Sequence, residues 1–166
     1  MFDTALFLIF PLILAFAAFY DLFSYTIPNW LSYVLVAGFV VAAPAFAIGW
    51  EAVGYHFLTS FAVLAVGFGL FAFGFAGGGD VKIASATALW LGPTQIMPYL
   101  VYAALFGGVL SLFIIILRTV PVPLAVNNIG WVSRLANPKN GVPYGIALSA
   151  SAFCVYPATI WFQALA

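Results

Sequence analysis

The sequence predicts an all-α protein, a polytopic bundle of about six membrane-spanning helices with its N-terminus outside. Three observations carry this expectation. First, apolar residues make up 66% of the 166 positions and charged residues 5%, with a mean hydropathy of +1.20. Soluble domains carry about 25% charged residues, so this chain has too few to clothe a water-facing surface. Second, apolar runs recur at close to the roughly 20 residues that a helix needs to cross the hydrocarbon layer. Third, Lys82, Arg118, Arg134 and Lys139 all fall on one side when the runs are threaded back and forth, and Asp3 and Glu51 fall on the other. Basic residues favour the cytoplasmic side. The length suits one domain, residues 1–166. Zero net charge offers nothing to nucleic acid, and Cys154, the lone cysteine, excludes an internal disulfide and a cysteine-based zinc site.

The elements follow in order. The first run covers residues 4–20; Met1-Phe2-Asp3 lacks the basic segment of a cleavable signal peptide, so this run is expected to be retained. Pro28 and Asn29 then stop one element and start the next, since proline cannot continue a helix and asparagine caps one well. The second and third runs cover residues 30–48 and 55–75. The fourth opens at Asp80 and meets Gly92-Pro93 after roughly 18 Å of helix, short of the bilayer core. The fifth covers residues 95–117, with Gly107, Gly108 and Ser111 suiting close helix packing. The polar stretch 119–141 holds Pro121 and Pro123, which end the fifth helix. Its segment 127–136 mixes Trp131, Leu135 and Arg134, as either a surface-lying helix or an ordinary loop does. The sixth run covers residues 142–162.

Two acidic residues stand out. Asp21 sits where the first run ends, and Asp80 follows Gly77-Gly78-Gly79. Ionisable groups at the membrane edge are costly and mark functional sites. Asp21 lies at a helix C-terminus, where the dipole disfavours a negative charge and nothing awaits capping. Asp80 precedes a helix and suits an N-cap, yet a cap needs no triple glycine, whereas glycine admits close approach by backbone or substrate. As a pair, the two carboxylates can share one proton. The protonated member donates to a peptide carbonyl, and the ionised member takes a proton from water. His56, the sole histidine, is expected on the outer side as a packing or interfacial residue, so neither a metal nor another cofactor is expected. Lys82 reads equally as a positive-inside anchor or as a group meeting the pair or the substrate.

Asp21 with Ile27-Pro28-Asn29, followed by Gly77-Gly78-Gly79-Asp80-Val81-Lys82, resembles the type IV prepilin peptidases, which are GxGD membrane aspartyl proteases. Pro143-Tyr144-Gly145 resembles the short members that serve tight-adherence (Flp-type) pili. The resemblance implies Asp21 and Asp80 as the catalytic pair, Gly77 and Gly79 as the motif glycines, Gly78 between them, and Lys82 as the lysine that commonly follows. These last four are the expected substrate-binding residues. The stretch Leu22-Phe23-Ser24-Tyr25-Thr26 lacks the basic residues often found there in the family. The paired cysteines and cytoplasmic insertion of methylating members are absent too. The implied activity is an endopeptidase without methyltransferase function, in the inner membrane with its site facing the cytoplasm. Its partners are a Flp-like pilin precursor, whose short basic leader it removes, and the bilayer. Two other readings stay open. One is an intramembrane protease of the presenilin or signal-peptide-peptidase kind, which places its aspartates deep in spans and carries a Pro-Ala-Leu element absent here. The other is a non-enzymatic transporter or assembly scaffold, which a broken span and carboxylates also suit.

Overall fold

The computed structural model describes residues 2–119, 129–138 and 140–164, and these form helices without a strand. The order is α1 (Phe2–Ser24), α2 (Asn29–Ala45), α3 (Trp50–Ala72), α4 (Gly78–Thr119), α5 (Gly130–Ala136), α6 (Tyr144–Val155), a 3₁₀ turn (Tyr156–Ala158) and α7 (Ile160–Gln163). Leu6–Ser24, α3 and α4 are long and apolar enough to cross a membrane; α2 and the stretch Tyr144–Ala158 are apolar but shorter. Pro121, Pro123, Asn127 and Lys139 lie outside the described residues.

The part of α4 before Gly92 is the hub. Every residue from Ser85 to Gly92 is buried, and α2, α3 and α6 all pack on this helix. α3 behaves oppositely: His56 is its one buried residue, so α3 touches α4 along a narrow stripe and leaves the rest of its apolar surface for lipid.

α4 breaks where the sequence predicts a short fourth span to end. Gly92 has φ 65° and ψ −174°, a left-handed conformation that a side chain resists. Pro93 then follows without an N–H, so the carbonyl of Leu89 loses its helical donor. His56 supplies the replacement: its Nδ1–H donates to Leu89 O at 2.7 Å. The ring also fills the space that a Cβ on Gly92 would take, 2.5 Å from His56 Cε1. His56 is therefore a packing residue, as one of the two expectations had it.

Around this break lies an aromatic cluster. Trp90 and Trp161 have ring centroids 5.0 Å apart and are both fully buried. Their indole N–H groups donate to Leu35 O at 2.9 Å and to Trp90 O at 2.6 Å. Burying tryptophan with its N–H satisfied gives a large hydrophobic contribution without an orphaned donor. The sixth apolar run is not one helix, contrary to the expectation for 142–162. Pro157 turns the chain into the 3₁₀ segment, and Thr159 is extended (φ −82°, ψ 158°) before α7 begins. The turn swings Trp161 into the cluster and lets Tyr156 Oη donate to Phe7 O at 2.9 Å.

Candidate active site

α1 runs on to Ser24, past the predicted end at 20, so Asp21 lies in its last turn and is 4% exposed. The carboxylate does not stand idle there, correcting the reading that it caps nothing. Its Oδ2 accepts the backbone N–H of Gly145 at 2.7 Å. Gly145 lies in the first turn of α6, which has no side-chain cap and no acidic residue of its own. Such first-turn N–H groups have no partner within their helix, and a negative charge is favoured beside them. Asp21 thus serves a helix more than a hundred residues away in sequence. Only glycine fits at the donor position, because a Cβ there would lie 2.8 Å from Asp21 Oδ2 and 3.0 Å from Ile27 Cδ1.

Asp80 approaches from the other side. It is the third residue of α4, not the N-cap that the sequence suggested, and its carboxylate turns back to the backbone N–H of Gly77. Val81 N–H meanwhile donates to Gly77 O at 3.1 Å. This is the reach-back half of a capping box, performed by aspartate. The glycines before it adopt no left-handed conformation. Their value is steric. A Cβ on Gly77 would lie 2.7 Å from Asp80 Oδ2, and one on Gly79 would lie 3.1 Å from Ile27 Cβ and 3.4 Å from Ile27 O. At Gly78 the nearest atom is an ordinary 3.4 Å away, on the Phe71 ring. The start of α4 therefore lies directly on Ile27. Next to it, Lys82 Nζ donates to Asn29 Oδ1 at 2.9 Å. The two motifs that stood apart in sequence are one packed unit.

Asp21 and Asp80 both line a cavity of about 750 Å³, together with Gly77, Gly78 and Gly79. Lys82 does not line it; this exposed side chain is engaged with Asn29. Three contributors went unnoticed in the sequence. Gly145 orients Asp21. Tyr25 lines the cavity with φ 56°, rare for a residue with a side chain, and its buried phenol oxygen has no hydrogen-bond partner among the described residues. Arg118 secures the segment opposite: its guanidinium donates to Leu135 O, Asn140 O and Gly141 O, each at 3.0 Å, and Asn140 and Gly141 form part of the cavity lining. Of the two readings left open for 127–136, helix or loop, residues Gly130–Ala136 form the helix α5, which Arg118 holds by its last turn. Only the Pro143-Tyr144-Gly145 pattern signalled any of these three beforehand; nothing local marks Tyr25 or Arg118.

Chemically, the arrangement puts two acceptor-rich carboxylates, each anchored by one backbone N–H, on one shared cavity. The comparison with known families agrees in kind: residues 8–112 match the type IV leader peptidase family. No match was found among curated proteins or among solved structures. The matched stretch covers most of the chain, including both aspartates and the Ile27-Pro28-Asn29 turn, and the chain belongs to the type IV leader peptidase family, a family of membrane peptidases.

Proposed function

We propose that this peptidase is an aspartic endopeptidase that removes the short basic leader of a type IV, Flp-like pilin precursor at the cytoplasmic face of the inner membrane. The observation that carries the reading is the shared cavity: Asp21 from the end of α1 and Asp80 from the start of α4 line the same space. In the reaction, the ionised carboxylate takes a proton from a water molecule as its oxygen attacks the scissile carbonyl carbon. The protonated carboxyl gives its proton to the carbonyl oxygen. When the tetrahedral diol collapses, one of its hydroxyls returns a proton to the second carboxylate as the C=O bond re-forms, the C–N bond breaks, and the leaving nitrogen takes up the proton held by the first carboxyl. Gly145 and Gly77 N–H groups keep each carboxylate in place without occupying all its acceptor sites. Gly77, Gly78 and Gly79 give the substrate backbone a side-chain-free approach, and the cavity-lining position of all three supports that role. Lys82 acts at one remove, by fastening Asn29 and the turn that carries Ile27.

Co-expression with a pilin precursor, followed by intact-mass measurement of the pilin, tests this. Loss of the leader mass after a single cut supports the reading. An unprocessed precursor beside a folded, inserted enzyme refutes it. The presenilin-like reading fits less well, because Asp21 lies in the last turn of its helix and Asp80 in the first turn of its own.

A further inference from the structure

The polar side chains that line the cavity of the two aspartates are Asp21, Tyr25, Thr26, Asp80, Asn140 and Tyr144. An ionised carboxylate only accepts. Thr26 Oγ1 donates to Ser24 Oγ at 3.1 Å, Asn140 Nδ2 donates to Arg134 O at 2.8 Å, and Tyr144 Oη is bonded to Ser111 Oγ at 2.9 Å. The Tyr25 hydroxyl alone has no partner among the described residues. Its backbone is unusual as well. Tyr25 follows the last residue of α1, and its N–H donates to Asp21 O at 2.8 Å. This closes the helix in a left-handed conformation, φ 56°, that glycine or asparagine usually supplies. A side chain in that conformation is costly, and so is a buried hydroxyl without a partner. Two such costs fall here on one residue in the wall of the site, and costs of this kind gather where a ligand binds.

We propose that the Tyr25 hydroxyl binds the substrate, donating a hydrogen bond to a peptide carbonyl oxygen beside the scissile bond. The inference rests on the aspartic-peptidase reading above. A peptide brings N–H donors and carbonyl acceptors in equal number. Carboxylates serve the donors, and the scissile carbonyl takes the proton of the protonated aspartate. A neighbouring carbonyl needs a separate donor, and Tyr25 carries the one hydroxyl of the lining that is not already engaged. Burial raises the phenol above its usual pKa range despite the nearby Arg118 guanidinium, so the proton to be donated is present at neutral pH. The bond from Tyr25 N–H to Asp21 O ties this donor to the backbone of a catalytic aspartate one helical turn away. Substrate binding then relieves an unpaired hydroxyl that the free enzyme carries.

Tyr25→Phe tests the proposal, because it deletes the oxygen and keeps the ring. Its thermal midpoint in detergent is expected at or above the native one, since no bond within the protein is lost. KM for a Flp-like pilin precursor is expected to rise about tenfold, the worth of one hydrogen bond, with kcat near that of the native enzyme. In an Asp80→Asn background, which keeps the precursor uncut, adding Tyr25→Phe should weaken precursor binding by about the same factor. A lower midpoint means that the oxygen has a partner inside the protein, and overturns the proposal. Native KM and native affinity in the variants overturn it too, as does a fall in kcat alone. If the native enzyme cuts the precursor and Tyr25→Phe matches it, this inference falls and the peptidase reading stands. A folded native enzyme that never cuts the precursor overturns that reading and this inference with it.

Discussion

The two ends of the first part of α4, about 21 Å apart along the helix, are built on opposite principles. At the Gly92 end, Trp90, Trp161, Phe39 and His56 fill space completely. Each ring N–H donor there is committed to a backbone carbonyl. At the Gly77 end the side chains are small, the space is open, and each aspartate is held by one backbone N–H. One helix thus carries a stabilising end and a working end. The difference teaches that ring N–H donors are committed to carbonyls in the aromatic cluster, whereas the two carboxylates keep spare acceptor capacity on the cavity.

The sharpest way to break this contrast is to alter the aspartates. Asp21→Asn and Asp80→Asn should each lower leader cleavage by on the order of 10⁴-fold, with the double variant no worse than either single one. Turnover near the native rate in a purified single variant would end the assignment. At the other end, Trp90→Ala should cost about 3–5 kcal/mol of stability, read as a lower thermal midpoint in detergent. The activity of the molecules still folded should be little changed; if instead activity falls while the midpoint holds, the division between ends is wrong.

Smaller changes sharpen the comparison within the working end. Gly145→Ala keeps the N–H but pushes a methyl against Asp21, and a drop in kcat of about tenfold is expected, with the thermal midpoint nearly native. Gly79→Val should also be strongly impaired, because its side chain meets Ile27, while Gly78→Ala should retain most activity. Equal behaviour of the two glycines in a turnover assay would remove the close-packing account. The least effect is expected from the exposed Lys82–Asn29 bond, whose coupling in a double-mutant cycle should stay at or below about 1 kcal/mol.

Much of this was legible in the chain and some was not. The apolar runs, the glycine-aspartate element and the Gly92-Pro93 break are local signals, read directly from composition and backbone chemistry. The sixth run misled because hydropathy is blind to a turn in which Pro157 and Thr159 interrupt helix without interrupting apolarity. Asp21 looked uncapped because its partner is a backbone N–H at Gly145, and a backbone group leaves no mark in a sequence. The same holds for Arg118, whose acceptors are three carbonyls. The glycines before Asp80 suggested close approach, but not that the approaching atoms at Gly77 and Gly79 would be those of Asp80 and Ile27.

The bond from Gly145 to Asp21 also bears on biosynthesis. Chains leave the ribosome from the N-terminus, so both aspartates are made and threaded into the membrane well before α6 exists. Until that helix arrives, Asp21 lacks the N–H that fixes it and the cavity lacks Asn140, Gly141 and Tyr144. In the nascent protein the two aspartates therefore wait for their surroundings, and the cavity they line is completed by the docking of one of the last helices.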